Sequence, residues 1–199
     1  MKIVRTILGA VILCVSTTPA LADGVKPYAG IIGGWDNVHI STPVGSGSQA
    51  GVTYGGVIGA DWITRENFLL GVEGEVMGAS TSRSEPLSAT ETVRLKAGRE
   101  FYAGARLGAV FAPHTIGYIK GGYANSRATG SYTDPTGTIS ASENLDGWRI
   151  GAGAEMAMKR FRLRLEYRYS NYGQFKYQGI ATGITTRRHQ VILGALLDL

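Results

Sequence analysis

From Phe161 to Tyr169 the chain alternates without a break. Phe161, Leu163, Leu165, Tyr167 and Tyr169 fall on one face, and Arg162, Arg164, Glu166 and Arg168 on the other. Successive side chains of a β-strand point to opposite faces, so a period of two predicts a strand with one apolar and one charged face. Seven further segments alternate in the same way, at about Lys26–Asn37, Val52–Ile63, Phe68–Ala79, Val93–Phe111, Thr115–Thr129, Asp146–Met158 and Arg187–Leu199, and the opening stretch extends towards Tyr172. In the third, Leu70, Val72 and Val76 oppose Glu73 and Glu75. In the fourth, Phe101, Ala103, Ala105, Leu107 and Phe111 oppose Glu100, Tyr102, Arg106 and Gly108. In the sixth, Trp148, Ile150 and Met156 oppose Arg149 and Glu155.

The connections alternate in length. Residues 64–67, 112–114 and 159–160 are short and turn-like, whereas 39–51, 80–92, 130–144 and 176–186 are long and rich in Ser, Thr and Gly. Short turns at one end and long loops at the other are the pattern of an outer-membrane barrel, the short turns facing the periplasm. Several segments reach the ~9–11 residues that a tilted spanning strand needs. Aromatics fall in two groups on this map. Trp62, Phe68, Phe111 and Phe161 lie near the short turns, and Trp35, Tyr123, Trp148, Tyr167 and Tyr169 nearer the long loops. They form the two girdles that lipid–water interfaces favour. Backbone groups in lipid have no water to bond, so the sheet must close. The expected fold is all-β: an eight-stranded antiparallel up-and-down transmembrane β-barrel.

The remaining features set the address and exclude chemistry. Lys2 and Arg5 precede an apolar run from Ile7 to Val15, and Ala20-Leu21-Ala22 supplies a small-x-small cleavage site. Residues 1–22 read as a secretory signal peptide, because the run is too short to span as a helix. Residues 23–199 are the barrel domain. Cys14 is the one cysteine and lies inside the leader, so the mature chain holds no thiol for disulfide, metal or catalytic use. The net charge of +5 falls to +3 without Lys2 and Arg5, too mild to argue for nucleic acid. Twenty-nine glycines sit within alternating segments rather than in a linker, as in a closely packed, bent barrel wall.

Five motifs carry a resemblance. They are Gly55-Gly-x-Ile-Gly-x-Asp-Trp62, Asn67-Phe-x-x-Gly-Val-Glu-Gly-Glu75, Gly104-x-Arg-x-Gly108, Gly147-Trp-x-x-Gly-Ala-Gly-x-Glu155 and the terminal segment with Gly194. In this order they resemble the small outer-membrane barrels called porin-family or outer-membrane immunogenic proteins, over essentially all of the mature chain. The resemblance implies an OmpA/OmpX-like barrel in the Gram-negative outer membrane, exposed as a surface antigen. It also implies recognition of the C-terminal strand by the barrel-insertion machinery, although this chain ends in Leu199 where the family usually has Phe. Some relatives are haem binders or weak pores. No peptidoglycan-binding domain follows the last strand, so wall anchoring is not expected.

Strand phase assigns the charged residues to a face. Asp61, Glu73, Glu75, Arg94, Lys96, Glu100, Arg106, Lys120, Arg149, Glu155, Arg162, Arg164, Glu166 and Arg168 are expected inside, as a lumen-filling network of ion pairs rather than an ion-selective constriction. Glu73 and Glu75 share a face roughly 7 Å apart, the spacing of a glycosidase pair, but several arginines compete for them and no cleft is legible. His39, His114 and His189 are too scattered to share a metal. His189 has the outward phase that a lipid A-modifying hydrolase would need, but its candidate partner Ser170 has the inward phase. Arg127, Lys176, Arg187 and Arg188 are expected at the outer rim, where arginine forks suit lipopolysaccharide phosphates. The resulting expectation is a monomeric, structural, surface-exposed barrel without cofactor, metal or catalytic site. It would touch outer-membrane lipid, lipopolysaccharide and host or phage surface proteins. A narrow porin or a small-ligand (haem-like) barrel is the alternative, and a lipid A-modifying enzyme the third.

Overall fold

The computed structural model describes residues 24–42, 45–80, 82–86, 92–173, 176–177, 180–181 and 185–199. The expected leader, residues 1–22, lies outside them. Eight long strands form the wall: β1 (Val25–Thr42), β2 (Gly45–Ile63), β3 (Phe68–Ala79), β4 (Thr92–Ala112), β5 (Thr115–Asp134), β6 (Gly137–Met158), β7 (Phe161–Tyr172) and β8 (Thr185–Asp198). Each pairs antiparallel with the next in the chain, and β8 pairs with β1 from Tyr28↔Asp198 to Ser41↔Thr185. The ring is therefore closed: no wall strand carries an unpaired edge through the lipid, as the bilayer requires. The short strand Ser82–Pro86 adds to the outer part of β4, and Lys176–Tyr177 pairs with Ile180–Ala181 beyond the end of β7.

Strand existence and phase follow the alternation, but two features depart from it. The serine-, threonine- and glycine-rich stretches 39–51 and 130–144 are largely extensions of strands rather than loops. β1 and β2 stay paired out to Thr42↔Gly45, and β5 and β6 out to Asp134↔Gly137. At 20 and 22 residues, β5 and β6 are about twice the length the bilayer needs, so this hairpin stands proud of the membrane. The second departure is a register shift in β4 between Ala97 and Glu100. Such a bulge puts an extra residue on one strand and breaks the alternation beyond it.

At the opposite end the turns are tight. Asn67, His114 and Lys159 each adopt positive φ, one in each short connection. Asn67 also donates its backbone N–H to Thr64 O at 3.0 Å, and Thr64 N–H donates to Phe68 O at 2.8 Å. These turns and both ends of the wall share one side, the periplasmic side in an outer-membrane orientation.

The outside is apolar. Ile31, Ile58, Val72, Leu107, Ile119, Leu165 and Leu193 are all exposed, and eight of the nine girdle residues, Trp35, Trp62, Phe68, Phe111, Tyr123, Trp148, Phe161 and Tyr167, are 47–68% exposed. Tyr169 is half-buried, with Trp148 and His189 on either side at ring distances of 5.6 and 5.0 Å. The lumen is divided. Ile32, Val57, Met77, Ile192 and Leu196 form an apolar wedge with Tyr28 along β1, β2, β3 and β8. The charged side chains come mainly from β3 to β7.

Candidate functional site

The interior charge is balanced. Among the described residues, seven carboxylates (Asp36, Asp61, Glu73, Glu75, Glu100, Glu155, Glu166) and seven cations (Arg106, Lys120, Arg149, Arg162, Arg164, Arg168, Arg188) are buried. An unpaired charge in such a place would cost several kcal/mol, and pairing is what makes burial tolerable. The pairs run in tiers along the barrel axis. Nearest the short turns, Arg162 bridges Asp61, Glu155 and Asp198, each at 2.8 Å. Above it, Arg106 meets Glu155 at 2.8 Å, and Arg164 meets Glu73 at 2.6 Å and Glu155 at 2.9 Å. In the middle, Lys120 Nζ lies 2.7 Å from Glu73, 2.6 Å from Glu75 and 2.8 Å from Glu166. Arg168 joins Glu75 at 2.7 Å and Glu166 at 2.8 Å. Towards the long hairpins, Arg149 links Glu75 to Glu100, and Arg188 links Glu100 to Asp36.

Three tyrosines stitch the tiers together. Tyr28 donates to Glu73 at 2.6 Å and accepts from Arg106 at 3.0 Å. Tyr118 donates to Glu166 at 2.5 Å, and the Arg106 guanidinium lies 4.0 Å from its ring centre. Tyr102 lies beneath Lys120 and Arg149. Glycines make room for these rings. A Cβ at Gly59 would sit 2.4 Å from the Tyr28 ring and hydroxyl, one at Gly104 would sit 2.2 Å from the Tyr102 hydroxyl, and one at Gly153 would sit 2.7 Å from the Tyr118 hydroxyl. Inward-facing glycine is therefore a packing partner here. Tyr118→Phe removes a buried hydrogen bond to a carboxylate, and it is expected to cost the refolded barrel about 1.5–3 kcal/mol in urea unfolding monitored by tryptophan fluorescence.

The sequence-predicted set divides as follows. Asp61, Glu73, Glu75, Glu100, Arg106, Lys120, Arg149, Glu155, Arg162, Arg164, Glu166 and Arg168 converge in the lumen. Arg94 and Lys96 lie beyond the β4 bulge, paired in register with Ser131 and Thr129, and their side chains lie outside the described set. The extra residue at the bulge shifts the phase on its far side, so alternation counted from Glu100 does not fix their face. Arg188 is a correction: it is not at the lipid-facing rim but buried, held by Asp36 and Glu100. Its neighbours in alternation, Gln190 and Ile192, also point inward, and counting back from Ile192 would have found it. Tyr102 has the inward phase already assigned to it beside Glu100 and Arg106, whereas Asp36, Tyr28 and Tyr118 are additions to the predicted set, although Ile31 and Trp35 on the outward phase imply the inward position of Tyr28 and Asp36. Arg187 is exposed and Arg127 half-buried on the outer part of the wall, and the side chain of Lys176 lies outside the described set.

The arrangement limits the chemistry open to these groups. The Glu73, Glu75 and Glu166 oxygens lie within 4.8 Å of one another, a spacing that would suit a cation, and the Lys120 ammonium occupies that position. Both Glu73 and Glu75 are buried and bonded to cations, so neither presents a free carboxylate to a substrate. His189 faces outward and bonds Tyr167 Oη at 2.7 Å, whereas Ser170 is buried in the lumen and accepts from Arg149 Nε at 2.9 Å. The two stand on opposite faces of the wall and form no nucleophile–base pair.

A family model described as outer membrane protein beta-barrel domain matches residues 7–191. Among the curated proteins, none matches the chain. Solved structures with a similar fold include Neisserial surface protein A, at 15% identity and a TM-score of 0.52, with 89% of this chain and 100% of that one covered. The attachment invasion locus protein Ail of Yersinia pestis is similar at 12% identity and a TM-score of 0.49, covering 86% and 99%. The N-terminal β-barrel domain of Pseudomonas aeruginosa OprF follows at 13% and 0.43, covering 85% and 99%.

Proposed function

The chain belongs to the outer membrane protein beta-barrel domain family, and from that premise we propose that it is a structural, surface-exposed wall protein of the envelope rather than a conduit. The observation that carries this reading is the lumen: seven buried cations paired with seven buried carboxylates reach from Asp61 at the periplasmic side to Asp36 at the outer side. A conducting pore needs sites that ions enter and leave easily, and here the interior partners are already each other's.

On this reading residues 1–22 direct export, the terminal strand β8 engages the barrel-insertion machinery, and the barrel acts as a monomer. Its β5–β6 hairpin, projecting past the bilayer, reaches host or phage surface proteins, while Arg127, Arg187 and Lys176 meet lipopolysaccharide phosphates. The test is deletion of the gene. Sensitivity of the cells to SDS and bile salts is expected to rise and to return to normal on complementation, while the refolded protein stays silent in planar bilayers. Unchanged sensitivity would remove the structural role, and regular conductance steps from the intact chain would put the transport reading in its place.

A further inference from the structure

The outward faces of β7, β8 and β1 line up in rows, because these strands are adjacent and in known register. From the outer side inward the rows are Asn171–Arg187–His39, Tyr169–His189–Asn37, Tyr167–Val191–Trp35, Leu165–Leu193–Gly33 and Leu163–Ala195–Ile31. The order is cationic and polar, then polar-aromatic, then aliphatic. In the two aliphatic rows the wall is dented: Gly33 has no side chain and Ala195 only a methyl, and a groove of about 590 Å³ opens between Ile31, Leu163 and Leu193. From Gly194 at its floor to Arg187 is seven residues, about 23 Å of strand or roughly 18 Å of depth at a 40° tilt. Half of a ~30 Å hydrocarbon core is about 15 Å. A groove near the midplane therefore lies one leaflet below a cationic, aromatic rim.

We propose that this strip is a binding site for one outer-leaflet lipid with a phosphorylated sugar headgroup, its acyl chain lying in the Gly33–Ala195 groove. Arg187 pairs with the phosphate, for which a guanidinium fork is suited. Tyr169, one row below Arg187, offers its ring at the height of the sugar, Tyr167 and Trp35 flank the start of the acyl chain a row further down, and His189, fixed by its 2.7 Å bond to Tyr167, offers a further polar edge. The site deepens the reading above, since it rests on the barrel's standing in a membrane whose outer leaflet carries such lipids.

The test is native mass spectrometry of the full chain, refolded and placed in nanodiscs of phosphatidylethanolamine and phosphatidylglycerol doped with lipid A. Gly33→Leu fills the groove. A Cβ there meets nothing closer than Thr53 O at 3.4 Å, so the substitution fits the fold. Arg187→Gln removes the phosphate partner. Gly74→Leu adds the same bulk to the outward face of β3, where a Cβ meets nothing nearer than 3.8 Å, and serves as the control. A gel-mobility shift on boiling verifies folding of each variant. The intact barrel and Gly74→Leu are expected to release with one lipid A attached, and Gly33→Leu and Arg187→Gln to retain roughly tenfold less. Equal retention by all four proteins overturns the site, as does equal retention of phosphatidylglycerol by the intact barrel. A paired barrel that Gly33→Leu disperses would assign the groove to a second copy instead. Lipid absent from every variant overturns the strip and leaves the envelope-sensitivity result standing. Lipid held on the strip by a protein whose deletion leaves the envelope unaltered overturns only the wall function.

Discussion

Lys120→Met is expected to destabilise the barrel by about 3–5 kcal/mol, because it leaves buried charge without its partner. Among the described residues, Lys120 Nζ is the one cation in contact with all three of Glu73, Glu75 and Glu166 at 2.8 Å or less. Methionine fills similar volume, so the loss reports charge rather than a cavity. Arg164 and Arg168 keep part of the compensation, which sets the upper end of the range. The measurement is equilibrium unfolding in urea, in detergent micelles, read by tryptophan fluorescence. Combining Lys120→Met with Glu166→Gln removes one charge of each sign and should recover a substantial part of the loss, a coupling that a double-mutant cycle isolates. A Lys120→Met barrel within about 1 kcal/mol of the original, at the low end of what a charged hydrogen bond contributes, would mean that the central tier organises nothing. The network need not add net stability over an apolar core of equal volume, since buried ion pairs often do not. Its effect is that removing one member is costly.

The second large effect is expected at Gly59. Alanine there places a methyl 2.4 Å from the Tyr28 ring and 2.7 Å from the backbone oxygen of Val72. The backbone cannot retreat without opening the β2–β3 ladder, so Tyr28 must move. Its hydroxyl then leaves Glu73 and Arg106, which it joins at 2.6 and 3.0 Å. Overpacking costs typically about 1–3 kcal/mol, and the lost hydrogen bond to a charged group about 1.5–3 kcal/mol. We expect the folded, fast-migrating band to be lost at lower temperature in unboiled gels, with the unfolding midpoint falling in parallel. Gly74→Ala, on the outward face where a Cβ makes only ordinary contacts at 3.8 and 3.9 Å, is the matched control and should change little. Equal behaviour of the two variants would show that the inward glycines are not packing partners of the tyrosines.

Both expectations concern residues whose phase the sequence makes legible, and the contrast with the less legible ones is physical. In the bilayer zone β3 to β7 each have one face in lipid and one turned mainly to charged partners, so alternation is strong there and Glu73, Arg106, Lys120 and Glu166 can be placed by counting. Outside the bilayer that contrast vanishes. The β5–β6 extension from Gly130 to Asn144 keeps its backbone ladder, but its serines, threonines and glycines meet water on both faces and read as loop. The β4 bulge at Ala97–Glu100 leaves no such signature, so counting puts Arg94 and Lys96 inside across a register shift that it cannot see. Arg188 differs from these. Its phase was available from Gln190 and Ile192, but the double arginine at 187–188 reads as a single rim feature when the alternation is not carried through. Partner choice within the lumen was not legible at all, because it depends on which strands face each other across the barrel.

The pairing of β1 with β8 also sets a timetable. The fourteen residues Thr185–Asp198 are the eighth wall strand in chain order, and they supply the closing seam and the arginine that joins Asp36 to Glu100. Until they arrive, β1 and β7 each present a bare ladder of donors and acceptors, and such edges invite aggregation. A protein of this design cannot profit from folding as it is made. Cut before residue 185, the wall is not a weakened barrel but a sheet with two open edges.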